Sequence, residues 1–316
     1  MRFFHGTNID FIGKRNLFFL ISALAFLITV IGAFYYKIEY GIDFVGGTEV
    51  AIKFYDDIHT DKIRNSIDKA GLTGSEIKSF GEDNQFLIRI KKSGNVQEMV
   101  TNALTNDFPN QKFDIIKVDK IGPKVGAELR NQAFIAIILS IIAMLIYLAF
   151  RFEFLFGLGA IIALTHDVAI TFCAIIILNK ITGINLEFNQ SILAALLTVV
   201  GYSVNDTVII FDRIRENREI HKGMALVKLF NLSVNETLSR TVNTVTTVLI
   251  TLVVMTIFGG PVIQGFAFTM ALGIIFGTYS SVYVASSFVI WYLQKVKKVD
   301  VEGAMSKKEA AALLKT

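Results

Sequence analysis

Four ionisable residues stand well inside long apolar runs: His166 and Asp167 together, Asp206, and Arg240. A charged side chain at the centre of a bilayer costs about 3 kcal/mol or more, so residues of this kind mark functional sites by default. A carboxylate and a guanidinium in such a place suggest proton or ion movement. Burial favours the neutral form of a carboxyl group, and a nearby cation favours its ionised form. An aspartate that alternates between those environments takes up a proton in one state and releases it in the other. Arginine does not lose its own proton and acts as a movable counter-charge. One elementary charge crossing 100 mV supplies about 2.3 kcal/mol, enough to bias a conformational cycle.

The neighbours of these residues fall on polar stripes. Thr198, Tyr202 and Asp206 recur at four-residue steps, with Ser203 and Asn205 beside them. Arg240, Thr244, Thr247 and Thr251 share one face of a helix, flanked by Asn243, and Asp167 and Thr171 share another. A lipid-facing helix has no use for such a stripe, so these faces are expected to point into a bundle or a hydrated crevice. At a rise of about 1.5 Å per residue, Asp206 lies roughly 24 Å and Arg240 roughly 27 Å from the outer ends of their spans, with Asp167 about 16 Å down. Asp206 and Arg240 are therefore expected at matching depth. Two readings of the pair stay open on residue types alone: a proton relay, or a structural ion pair in a helix interface glued by threonines. For His166 the stronger reading is a hydrogen-bonded core histidine beside an acid. Asp212, Arg213, Arg215 and Arg218 sit at the membrane edge and read as anchors.

The elements that must position these groups are membrane helices. The chain has 316 residues, 53% of them hydrophobic, and the apolar residues are grouped in long runs. Spans are expected over residues 17–35, 131–150, 154–178, 190–211, 235–258 and 264–292. The first is too long for a signal-peptide core and reads as an uncleaved anchor. Lysines and arginines cluster in the 1–16 segment, at the Arg151 turn, in the 212–234 connection and in the 293–316 tail, which places both termini in the cytoplasm. Segment 36–130 then lies outside. Lys222–Phe230 has the spacing of an interfacial helix, and Ser233 with Glu236 has the form of a capping box that would start the fifth span. Gly273, Gly277 and Ser281 permit close helix packing.

The external segment alternates differently. Strands are expected over 49–55, 75–80, 85–91 and 112–121, helices over 60–70 and 96–104, and a turn at 81–84. The order β-α-β-β-α-β predicts a small ferredoxin-like α+β domain. Nothing in it forms a catalytic set. The formal charge of +4 sits mainly beside membrane runs and argues against nucleic-acid binding. Cys173 is the only cysteine, which excludes an intrachain disulfide and a thiolate metal cluster. No H-E-x-x-H motif or nucleophile–base set supports an intramembrane hydrolase, and no metal or cofactor is expected.

Several motifs then coincide: Gly41-Ile42-Asp43-Phe44-Val45-Gly46-Gly47-Thr48 after the first span, Ile121 to Leu129 before the second, His166-Asp167 in the third, and Gly201–Asn217. In this order, over residues 38 to about 290, the chain resembles the SecF branch of the SecD/SecF family of bacterial protein translocase subunits. The resemblance implies half of a transporter of the resistance–nodulation–division type in the inner membrane. It implies a SecD partner, association with the SecYEG channel and YajC, and use of the proton-motive force to export unfolded proteins. It also implies that the family's transmembrane acid and base are Asp206 and Arg240, and that Asp43, Gly46, Gly47 and Thr48 form its external motif. His166 and Asp167, with Thr198, Tyr202, Ser203, Asn205, Thr244 and Thr247, are candidate relay or supporting residues. The alternative is half of a proton-coupled small-molecule or lipid exporter, although exporters of that class usually carry about twelve spans and two large external domains.

Overall fold

The computed structural model describes residues 7–79, 84–92, 94–182 and 184–303. Residues 1–6, most of the expected turn (81–83) and the tail beyond 303 lie outside the described residues.

Helix α1 (Arg15–Tyr36) is the first of six helices long and apolar enough to cross a membrane. A short helix α2 (Ile42–Val45) follows, and then the domain: β1 (Gly47–Phe54), α3 (Thr60–Lys69), β2 (Glu76–Ser79), β3 (Gln85–Ile90), α4 (Val96–Asp107) and β4 (Phe113–Ile121). The sheet order is β2-β3-β1-β4, with every neighbouring pair antiparallel. This is the ferredoxin-like arrangement expected from the element order. Val50 pairs with Ile88 and Ile52 with Phe86, so alternate residues of the central strands share one face. They pack with Ile63, Ile67, Val100 and Leu104 of the two helices. Full burial of each such side chain contributes about 1.5–3 kcal/mol, and this supplies the domain's own core.

The remaining chain is helical: α5 (Pro123–Arg151), α6 (Phe154–Ile181), α7 (Gln190–Ile220), α8 (Leu226–Phe258), α9 (Gly260–Ser280), one π turn over Ser281–Ala285, and α10 (Ser286–Lys295). The last three form one continuous span with a local widening. Ser286 Oγ donates to the Ser281 carbonyl 3.0 Å away, across the five-residue step of that turn. α1 buries a single residue, Ser22, whereas α6 and α7 are covered along much of their length. The bundle therefore has a centre, α6, α7 and α9, and a periphery.

Two expectations need correcting. The capping box is absent. α8 runs unbroken from Leu226, and Ser233 Oγ donates to the Leu229 carbonyl inside it. Leu226, Leu229, Phe230 and Val234 all join the core, so burial carries the helix straight through the point where the polar signature suggested a start. The interfacial helix and the fifth span are one element. Likewise α5 begins at Pro123, where proline's fixed φ and missing N–H suit a first turn, well before the apolar run itself begins.

Close helix approach has a visible cause. A Cβ on Gly273 would lie 2.3 Å from Val199 Cγ2, and one on Gly277 would lie 3.0 Å from Ser203 Cβ. The two glycines set the spacing of α7 and α9, as their four-residue interval suggested.

Candidate functional site

Asp206 lies on α7 and is 3% exposed. Its one hydrogen-bond partner among the described residues is Thr278 of α9, with Oγ1 3.4 Å from Asp206 Oδ2. The same hydroxyl is 2.9 Å from the Ile274 carbonyl, so its single hydrogen is divided between two acceptors. Asp206 is thus a buried carboxyl with spare acceptor capacity. Arg240 of α8 is exposed on the surface of this chain. Among the described residues the two form no ion pair. The direct ion pair, one of the two readings left open, is not formed between them in this chain alone.

A second carboxyl stands in contrast. Asp167 of α6 is fully buried and is met by three side chains. Ser203 Oγ of α7 donates to its Oδ2 at 2.5 Å, and Ser280 Oγ of α9 donates to the same oxygen at 2.6 Å. His166 Nδ1 is 3.0 Å from Oδ1, and His166 Nε2 is 2.7 Å from Ser22 Oγ of α1. If Asp167 is a carboxylate it can only accept, so Nδ1 would carry the hydrogen of that contact, and a neutral ring would then accept from Ser22 at Nε2. One polar network joins α1, α6, α7 and α9. A second link, Thr207 Oγ1 to Ser281 Oγ at 2.8 Å, lies just past it, between α7 and the first residue of the π turn.

The other expected residues divide into two groups. Tyr202 is partly buried against the cluster of Val245, Leu252, Ala267 and Ile274. Thr198, Asn205 and Thr247 are exposed, as are Asn243 and Thr251. Thr198 and Thr247 return their hydroxyls to the Ala194 and Thr244 carbonyls of their own helices. Thr244 is partly buried. The polar stripe of α7 and α8 thus lies largely on the outside of this single chain, not in its interior.

Several charges at the end of the bundle near both termini are paired. Arg151 Nη2 meets Asp212 Oδ2 at 2.5 Å, Arg213 binds Glu216 and Glu236, and Arg218 Nη2 meets Glu153 Oε1 at 2.7 Å. They fasten α5, α6, α7 and α8 to one another.

The external motif forms a junction. Asp43 Oδ2 accepts from the Gln190 backbone N–H at 3.0 Å, at the start of α7. Gly41 N donates to the Phe188 carbonyl at 3.0 Å. Gly46 has φ +81°, and a Cβ there would lie 2.9 Å from Pro123, so only glycine fits both the conformation and the contact. Gly47 pairs with Ile121, and Thr48 Oγ1 donates to the Lys92 carbonyl at 3.3 Å. Two sequence-distant motifs, 41–48 and 121–129, thus meet where the domain joins the membrane helices.

Residues 100–295 match the model of the protein export membrane protein SecD/SecF, C-terminal family. The chain belongs to the SecD/SecF family. It is 40% identical to the protein translocase subunit SecF of Calditerrivibrio nitroreducens over 90% of this chain and 93% of that one. It is 38% identical to the SecF of Endomicrobium trichonymphae over 95% and 97%. Among solved structures, SecDF from Thermus thermophilus, a translocon-associated membrane protein, superposes with a TM-score of 0.77 at 31% identity, covering 92% of this chain and 39% of that one. SecDF in its super-membrane-facing form gives 0.69 at 30% identity, covering 98% and 41%. The chain spans about two fifths of each SecDF polypeptide. It is a multi-pass membrane protein and a SecF-type subunit of the protein-export machinery, a transport protein and not an enzyme.

Sequence reasoning missed Ser22, Thr278 and Ser280. Ser22 is an isolated hydroxyl in an apolar helix. Thr278-Tyr279-Ser280-Ser281 is a polar run inside the last apolar span, of which only Ser281 had been noted, and then for its size.

Proposed function

We propose that this SecF-type subunit works with a SecD partner to couple the proton-motive force to translocation of unfolded proteins, and that Asp206 and Arg240 carry the proton step. In this reading the chain lies in the bacterial inner membrane. Its termini are cytoplasmic and the 36–130 domain is periplasmic. SecYEG, YajC, the emerging polypeptide and lipid are its other contacts.

The observation that carries the reading is the state of the polar face on α7 and α8. Asp206 is buried with one long hydrogen bond, and Arg240, Asn205, Asn243 and Thr247 face outward from apolar spans. An arginine turned to lipid is costly, so a face of this kind fits against a second polar surface or a hydrated crevice. A SecD half would supply that surface, as the remaining three fifths of the SecDF chains suggest. Protons reaching the crevice would meet a carboxyl that has spare acceptor sites and a fixed cation within electrostatic reach. The basic clusters beside the spans support the orientation.

The test is Asp206→Asn, co-expressed with SecD and assayed in energised membrane vesicles. The variant should assemble with its partner and lose proton-dependent export. Normal export would end the relay reading.

A further inference from the structure

We propose that Asp167 is a positioning residue for the Asp206 site: its carboxylate ties α7 to α9 through Ser203 and Ser280 and so holds Thr278 against Asp206. The inference rests on the reading of Asp206 as the proton-bearing group.

The geometry is specific. Ser203 lies three residues before Asp206 on α7, and Ser280 lies two residues after Thr278 on α9. Both hydroxyls converge on one oxygen, Asp167 Oδ2, at 2.5 and 2.6 Å. A single acceptor on α6 therefore fixes the relative height and rotation of the two helices that carry Asp206 and Thr278. The Thr278–Asp206 contact, at 3.4 Å, is long and shared, so a small slide between α7 and α9 makes or breaks it. The glycine contacts at Gly273 and Gly277 bring these helices close, and the Thr207–Ser281 hydrogen bond adds a second tie one turn further along. The other oxygen of Asp167 receives His166, which reaches Ser22, the one buried residue of α1. This ties the peripheral first helix to the same point. The π turn begins one residue after Ser280, where an extra residue is accommodated in the helix and its phase changes.

Asp167 is itself a buried acid, so carrying the proton is the competing role. Asparagine separates the two. Its amide oxygen can take the place of Oδ2 and accept from both serines. Its NH2 can donate to His166 Nδ1 once the ring changes tautomer and donates from Nε2 to Ser22. The tie survives while the titratable group is gone. Alanine removes both.

The experiment compares Asp167→Asn, Asp167→Ala, the Ser203→Ala/Ser280→Ala double variant and Asp206→Asn, each with SecD in energised vesicles. Proton-dependent export and its pH profile are recorded. The α7–α9 register is read separately, by disulfide trapping between Thr207→Cys and Ser281→Cys in a Cys173→Ser background. Those two hydroxyl oxygens are 2.8 Å apart. Asp167→Asn should stay within about threefold of wild type in export and keep the wild-type trapping rate. Asp167→Ala and the double serine variant should assemble with SecD, fall about tenfold or more in export, shift the pH profile and trap more slowly. Two results overturn the proposal: Asp167→Asn as inactive as Asp206→Asn, which makes Asp167 a carrier, or Asp167→Ala with unchanged trapping and profile. Normal export by Asp206→Asn would instead remove the relay, and the trapping rates would still decide whether Asp167 sets the register.

Discussion

Asp206 on α7 and Arg240 on the neighbouring helix α8 close no ion pair among the described residues. The acid is buried between α7 and α9, and the base is exposed on α8. A closed pair would fix both charges and leave little for a proton to change. An open one leaves the carboxyl free to respond to the distance of its counter-charge. Arg240→Met should therefore reduce proton-dependent export about as strongly as Asp206→Asn, about tenfold or more, with assembly intact. Arg240→Lys should fall between, because an ammonium keeps the charge but loses the planar fork and is more easily neutralised. Export rates in energised vesicles check the order. Full activity in Arg240→Met would mean that the guanidinium only braces a helix.

The junction between domain and bundle gives a stability prediction free of proton chemistry. A Cβ on Gly126 would lie 2.8 Å from Gly46 N and 3.1 Å from the Phe44 carbonyl carbon, both backbone atoms with no side chain to move aside. Gly126→Ala should destabilise the join by about 1–3 kcal/mol, as overpacking of a close contact does. Limited proteolysis between the domain and α5 would show faster cleavage. Gly122→Ala, whose added carbon meets nothing within 4 Å, is the matched control.

What could be read from the sequence, and what could not, follows from how each signal arises. Apolar run length reports a membrane helix directly, and strand alternation with turn residues reports β-α-β-β-α-β, so the fold class was legible. The depth argument for Asp206 and Arg240 used only rise along a helix. Rotation about the axis depends on which neighbours pack, and a single stripe cannot reveal that. The stripe through Thr198 and Thr247 therefore faces outward although an inward face was one expectation. The Asp167 network was illegible for the same reason. Ser22, Ser203 and Ser280 are far apart in sequence, and each alone is an ordinary small hydroxyl. The capping signature at Ser233 misled because local hydrogen-bonding preference was outweighed by burial of Leu229, Phe230 and Val234.

At the opposite end of the bundle, Arg218 is 8% exposed and its guanidinium is held by Glu153, while its Nε finds no partner among the described residues. Removing one member of a buried pair strands the other charge, at a cost of about 3–5 kcal/mol. Glu153→Ala should therefore lower thermal stability more than Arg218→Met, which removes the buried charge and keeps an apolar stem in the cavity that Phe156 and Phe230 also line. Melting of the detergent-solubilised protein with its partner checks the ranking, and equal losses would show that the pair is solvated.

The contact between the external domain and the loop before α7 should respond to pH in the direction opposite to ordinary acid lability. Asn185 Nδ2 donates to Glu76 at 2.6 Å, and Lys91 Nζ meets Glu187 at 2.5 Å. Burial pushes the Glu187 carboxyl above its usual range; Glu76 and Glu39 add to the rise, and Lys91 opposes it. A group whose folded value lies above its unfolded one binds more protons when folded, so stability falls as pH rises through that window and recovers as pH drops from neutral into it. Glu39 is itself held by Lys180 and Asn179, and Glu76 by Arg89 and Lys78, so the neighbouring carboxylates keep their partners as Glu187 is neutralised. Hydrogen exchange of residues 184–189 and of β3 should slow on moving from neutral to mildly acidic pH in the wild type and stay flat in Glu187→Gln. Faster exchange in the wild type on acidification would show that the Lys91 pair, and not burial, governs this contact.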